Sequence, residues 1–156
     1  MKKNHNMGFM MIEIIVAVSI IAISVIAATA VAQKSIFVGR QAFHTAQAGF
    51  LLEEGAEAVR INRDNDWNNI KNLSAGTNYY PTYSGGTWTL STTLNTVGIF
   101  TRRVVVAAVK RDNTTKDISS TGTDDAFTKL FTVTVSWPEG TTTITKTLPF
   151  YIMNIF

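Results

Sequence analysis

Residues 9–32 read FMMIEIIVAVSIIAISVIAATAVA and contain a single charged side chain, that of Glu13. As an α-helix, at about 1.5 Å per residue, this segment would be about 36 Å long, enough to cross a hydrocarbon core of about 30 Å. Lys2 and Lys3 precede it, and because basic residues favour the cytoplasmic side, the N-terminus is predicted to be inside and the C-terminal part outside. The sequence therefore predicts one transmembrane helix near the N-terminus.

The charge of Glu13 is unusual in a membrane-spanning segment. A carboxylate within such a helix costs on the order of 2–3 kcal/mol even on the lenient insertion scales. One interpretation is that Glu13 lies near the headgroups and extends outward to water. The other is that Glu13 has a functional partner of positive charge.

The residues around Glu13 form a pattern with fixed spacing. Residues 8–13 read GFMMIE, between a short basic leader and the long apolar stretch. This pattern resembles the processing site of type IV prepilins and type II secretion pseudopilins, and the resemblance covers roughly residues 1–60. It implies that a prepilin peptidase cuts between Gly8 and Phe9 and methylates Phe9, the new N-terminal residue. No cofactor is expected.

The resemblance also implies a role in assembly for Glu13. In this family the carboxylate is proposed to meet the N-terminal amine, here that of Phe9, of a neighbouring subunit. Such a pair in a low-dielectric filament core would be costly to break and would set the axial register of the subunits. The implied partners are prepilin peptidase, other pilin subunits in a homo- or hetero-oligomeric filament, an inner-membrane assembly platform and the lipid bilayer. The implied location is the cytoplasmic membrane, followed by an extracytoplasmic filament.

Two departures from the major pilins indicate a minor pilin or a pseudopilin. Many major pilins have a proline about two-thirds along the apolar helix, where this chain reads AATAVA over residues 27–32. The chain also has no cysteine, and so lacks the C-terminal cysteine pair of many major pilins.

Two alternatives use the same N-terminal residues differently. Ala30-Val31-Ala32 is an A-x-A sequence, so an ordinary signal peptide cut after Ala32 would release a secreted binding domain. Against this, the apolar stretch exceeds the usual 7–15 residues and contains Glu13. The other alternative is an anchored domain that is not cleaved at all.

The predicted fold class is α+β and pilin-like. A long N-terminal helix, with an apolar membrane half and an amphipathic outer half, packs on a small antiparallel β-sheet head. The predicted segments are a leader (1–8), a transmembrane or filament-core helix (9–32), its amphipathic continuation (33–66) and a β-rich globular head (67–156). The helix is expected to end near Arg63. Its apolar stripe consists of Ala48, Leu52, Ala56 and Val59.

About four strands are expected in the head. Residues 73–86 read as a loop, whereas 88–94, 102–110 and 131–137 have the two-residue period or β-branched content of strands. Pro138-Glu139-Gly140 predicts a tight turn leading to a partner strand at 141–148. The glycines in the helix, Gly39, Gly49 and Gly55, are interpreted as tolerated rather than required.

Composition argues against an enzyme. The absence of cysteine excludes thiolate catalysis and disulfides, and His44 has no carboxylate or serine beside it in the sequence, so a surface helix position is expected. The net charge is +3, and Lys2 and Lys3 account for two of these charges, which makes nucleic acid an unlikely main partner.

Two other patterns in the chain are weaker. Asp64, Asp66 and Asn68 resemble the start of a calcium-binding EF-hand loop, but the required Gly and final Glu are missing, so a solvated helix end is expected and no metal site. Basic pairs at 102–103 and 110–111 would form a DNA-binding strip if they shared one surface, but basic residues at strand ends usually only increase solubility.

Overall fold

The computed structural model describes residues 6–155, with side chains from Met10 onward. It contains two helices, α1 (Asn6–Asn65) and α2 (Asn68–Lys71), and seven strands: β1 (Asn78–Ser84), β2 (Thr87–Ser91), β3 (Thr96–Val97), β4 (Phe100–Arg111), β5 (Ile118–Ser119), β6 (Thr123–Glu139) and β7 (Thr142–Met153). This is the expected α+β class, a long N-terminal helix with an antiparallel sheet. The chain divides into a unit that ends at Phe43 and a second that begins at His44, and α1 contributes to both.

The sheet of the second unit is antiparallel at every ladder. Its strand order is β2-β1-β4-β6-β7, and the two-residue strands β3 and β5 pair with β4. The predicted hairpin is confirmed: Glu139 pairs with Thr142, and the turn has Gly140 at φ 63° as its first central residue. Only glycine takes this conformation without cost in a two-residue hairpin turn.

The prediction of a loop over residues 73–86 is wrong for 78–84, which form β1. The turn into β2 has Gly85 and Gly86 at φ 62° and 84°, the two positive values that a type I′ hairpin turn requires. Pro81 lacks a backbone N–H but pairs with only one strand, through Leu90 of β2, so the strand tolerates it. With β1 and the two short strands, the sheet has seven strands instead of about four.

The core of the second unit lies between the sheet and the part of α1 that begins at His44. From Phe131 to Trp137 every second residue of β6 faces this core, and Phe131, Val133, Val135 and Trp137 are each at most 2% exposed. The helix contributes the predicted stripe: Ala48, Ala56 and Val59 are buried, and Leu52 packs against the same clusters. The apolar side chains that recur every three to four residues on the helix and every two residues on the strands thus pack together in one layer.

Gly55 allows α1 to approach the sheet closely. A Cβ atom on Gly55 would lie 2.7 Å from Cγ1 of Val133 and 3.2 Å from Cδ of Arg102. A Cβ atom on Gly39 or Gly49 would meet no described atom within 4 Å. The interpretation of these glycines as merely tolerated is therefore wrong for Gly55.

Candidate functional site

The apolar part of α1 is solvent-exposed along its whole length. Every residue from Met10 to Ile36 is exposed, and the helix is long and apolar enough to cross a membrane by length and composition. Its large side chains include Ile21 at 62% and Ile26 at 68% exposure. Exposed apolar surface in water costs about 25 cal/mol per Å², so contact with lipid or protein would stabilise a segment of this kind.

Three hydroxyl groups of this segment, those of Ser19, Ser24 and Thr29, are satisfied within the helix itself. Ser19 donates to the carbonyl of Ile15 at 2.7 Å, and Ser24 donates to that of Ile20 at 2.8 Å. Thr29 donates at 2.8 Å to the carbonyl three residues before it. Such internal bonds suit an apolar environment, where an unsatisfied polar group costs several kcal/mol.

Glu13 is the exception in this pattern. Its side chain is exposed on the apolar surface of α1, and among residues 10–155 it has no hydrogen-bond or ion-pair partner. The predicted cleavage pair Gly8 and Phe9 lies outside the residues whose side chains are described, and residues 1–5 of the predicted leader lie outside the described chain. Phe9 precedes Glu13 by four residues, about one helical turn.

His44 occupies a different environment from the expected surface position. Its Nδ1 atom lies 2.8 Å from Oε2 of Glu139, and its ring meets Phe100 edge to face, with the ring centroids 6.1 Å apart. The side chain of Glu139 is only 3% exposed and also accepts a 3.3 Å hydrogen bond from Nε1 of Trp137. The prediction failed because Glu139 follows His44 by 95 residues, which no local pattern reveals.

The basic strip suggested for DNA does not form as one surface. Arg102 faces the core, where it is 3% exposed and hydrogen-bonded to Glu54, whereas Arg103 is exposed on the opposite face and donates to the side-chain oxygen of Asn78. Arg111 is paired with Asp125, its Nε atom 2.6 Å from Oδ2. Two of the four cations are thus already neutralised by acids.

In the polar segment at the end of α1, the acidic groups bond to neighbouring residues. Asp64 accepts a 2.8 Å hydrogen bond from Nε of Arg63, and Asp66 accepts one of 2.9 Å from the backbone N–H of Asn68. Within residues 6–155, no group of three or more His, Asp or Glu side chains could hold a metal ion. The residues at 64–68 therefore provide the end of α1 and the beginning of α2.

Comparisons of the chain with protein-family models, with curated proteins and with solved structures found no match.

Proposed function

We propose that the chain is a structural subunit, a minor pilin or pseudopilin, of a type IV pilus-like filament. The observation that carries this proposal is the position of Glu13: an ionisable side chain, unpartnered among residues 10–155, on an exposed apolar helix behind the sequence GFMMIE. A role as a filament subunit accounts for the unpartnered carboxylate and for the exposed apolar helix. Lipid covers the helix before assembly, and the helices of neighbouring subunits cover it afterwards.

Processing and topology follow from the same residues. Prepilin peptidase cuts between Gly8 and Phe9 and methylates Phe9, which leaves a positively charged amine at the start of the helix. The chain then crosses the cytoplasmic membrane once with its N-terminus inside. An assembly platform in that membrane transfers it to an extracytoplasmic filament made with other pilin subunits.

The carboxylate of Glu13 then pairs with the amine of Phe9 in the next subunit. In the filament core both groups are removed from water, and removing one partner of such a pair costs about 3–5 kcal/mol because the other charge is left uncompensated. The pair therefore favours the one axial position at which every Glu13 meets an amine.

The second unit is suited to stay folded through this transfer. Its buried apolar residues all lie at or after Ala48, so its core does not draw on the segment from Met10 to Ile36. Movement of that segment from lipid to protein therefore leaves the core of the second unit intact.

The proposal is tested with the variants Glu13→Gln and Glu13→Ala in the cell that makes the filament. Both variants insert into the membrane, because removal of a charge favours insertion, and both enter the filament in reduced amount. Ser19→Ala is the matched control, since among the described residues its hydroxyl bonds only to the carbonyl of Ile15 on the same helix, and its loss leaves assembly normal. Normal incorporation of Glu13→Ala would contradict the proposed contact.

A further inference from the structure

An open, largely apolar groove lies beside α1 in the second unit. Its volume is about 560 Å³, and it is lined by His44, Gln47, Phe50 and Leu51 of α1 and by residues 97–100 at the turn between β3 and β4. None of these lining residues of the described chain is an aspartate, glutamate, lysine or arginine. The groove therefore suits a partner surface that is apolar and uncharged.

The turn on one side of the groove has an apolar residue at its tip. Val97 pairs with Phe100, so Gly98 and Ile99 are the two central residues of a hairpin turn. Gly98 has φ 59°, the positive value that a type II′ turn takes at its first central position. Glycine and polar residues dominate such turns, yet Ile99 is 46% exposed at the second position. On the α1 side, Phe50 is 71% exposed, so both sides of the groove present a large apolar side chain, as interaction surfaces do.

We propose that this groove binds residues 14–33 of α1 from a second copy of the chain. Those residues are helical, exposed and without charge. A helix that enters an apolar groove buries side chains three or four residues apart, and residues 14–33 are apolar on every face except at the hydroxyl groups that bond within the helix. No ionised carboxylate, ammonium or guanidinium group of either surface is then buried without a partner. This inference rests on the proposed function, in which the apolar segment leaves the lipid and is covered by protein.

The structure of one chain points to a second copy as the partner. The groove and the segment are both exposed, and within the described chain no residue of the segment lines the groove, so a chain does not fill its own groove. The two surfaces differ, so their contact is head-to-tail and leaves a free groove at one end and a free segment at the other. A contact of this type continues from copy to copy and builds a filament unless its rotation closes a ring.

The copy that fills the groove is not the copy that meets Glu13. In a filament of parallel helices, pairing of Glu13 with Phe9 displaces two copies by four residues, about one helical turn. Residue 33 precedes His44 by 11 residues, so filling the groove displaces two copies by about 16 Å or more at about 1.5 Å per residue. The groove therefore joins copies that are not successive in the series of Glu13 contacts.

Photo-crosslinking tests this contact in filaments from the cell that makes them. A benzophenone-bearing amino acid replaces Ile99, whose exposed position at the turn tolerates a larger side chain. We expect crosslinked dimers of the chain, in which mass spectrometry joins position 99 to a peptide from residues 14–33. The matched control has the same amino acid in place of Tyr151, an exposed aromatic residue outside the groove, and should give no crosslink to residues 14–33.

A charge at the tip of the turn provides an independent test. Ile99→Lys would bury an ammonium group against an uncharged helix, so we expect incorporation into filaments to fall about tenfold or more. Tyr151→Lys introduces the same charge outside the groove and should leave incorporation unchanged. Urea unfolding of both variants in detergent checks that the second unit remains folded.

The outcomes separate this inference from the proposed function. Crosslinks from position 99 only to lipid, to another protein or to the second unit of another copy would overturn the groove assignment, as would crosslinks to residues 14–33 that are equal from positions 99 and 151. Normal incorporation of Ile99→Lys would also overturn it. In each of these cases the filament proposal stands if Glu13→Ala still enters filaments in reduced amount. Absence of the unmodified chain from any filament would overturn both.

Discussion

Arg102 of β4 donates a 2.7 Å hydrogen bond from Nη1 to Oε2 of Glu54 on α1, and so joins the helix to the sheet through a charged pair. The guanidinium also donates to the carbonyl of Pro81 at 3.3 Å and lies over the ring of Trp88, 5.2 Å from its centroid. Its Nε atom is buried without a hydrogen-bond partner in the described chain. A buried cation with these contacts depends on Glu54 for its compensating charge.

Removal of the charge on Glu54 should destabilise the second unit. We expect Glu54→Gln to lower the free energy of unfolding by about 1–3 kcal/mol, because Arg102 keeps its buried charge and loses the carboxylate. The value is moderate because the side chain of Glu54 is 45% exposed. Urea unfolding of the full chain in detergent, followed by tryptophan fluorescence, measures the change.

The control for this pair is Glu57→Gln. Glu57 lies on the same helix and pairs with Arg60, and both side chains are at least 50% exposed. Its loss should cost less than about 1 kcal/mol. If Glu54→Gln and Glu57→Gln lower the free energy of unfolding equally, burial of Arg102 does not strengthen its ion pair with Glu54.

Alanine in place of two helix glycines should have effects of opposite sign. Gly55→Ala places a methyl group against Val133 and should destabilise by about 1–3 kcal/mol through overpacking. Gly49→Ala meets no described atom within 4 Å and should stabilise by about 0.5–1 kcal/mol, because alanine is the better helix former. Denaturant unfolding of the two variants side by side measures this difference, and the same sign for both would contradict the close approach at Gly55.

The sequence was sufficient for those parts of the fold that depend on local periodicity. The three-to-four spacing of Ala48, Leu52, Ala56 and Val59, and the two-residue spacing over residues 131–137, correctly predicted which faces meet in the core. It was insufficient where a contact joins distant segments. The three glycines of the helix look alike in the sequence, and only the position of Val133 distinguishes Gly55.

Among the candidate site residues, too, the sequence predicts local features but not contacts between distant segments. The pairing of His44 with Glu139 depends on where α1 meets the end of β6, and nothing in the neighbourhood of either residue predicts it. The opposite orientation of Arg102 and Arg103 was predictable, since successive residues of a strand point to opposite faces. Gly8 and Phe9 and the role of Glu13 remain predictions from sequence.

The carboxyl group of Asp125 makes the second unit sensitive to acid. A hydrogen bond with the hydroxyl of Thr128, together with Arg111 and the backbone N–H of Phe127, lowers the pKa of Asp125 from 3.8 to about 2, against the opposing effect of burial. A lowered pKa in the folded state means that this group stabilises the fold fully above about pH 4. The contribution is lost as the pH falls from about 4 to about 2.

The variant Asp125→Asn isolates this contribution. Its stability should be lower than that of the unmodified chain at neutral pH, and the difference should decrease by about 2 kcal/mol between pH 4 and pH 2. Thr128→Val, which removes the hydroxyl and nearly conserves the volume, should raise the pKa of Asp125. A difference that stays constant over this pH range would show that the pKa of Asp125 is not lowered.

The most direct test of the filament proposal is the N-terminus of the mature protein, determined by mass spectrometry on protein from its own cell. The account predicts a chain that begins at Phe9 and carries a methyl group on its terminal amine. A chain that begins at Gln33 would identify a secreted domain released by signal peptidase, and a chain that retains residues 1–8 would identify an uncleaved anchored protein. Either of these results would contradict the filament proposal.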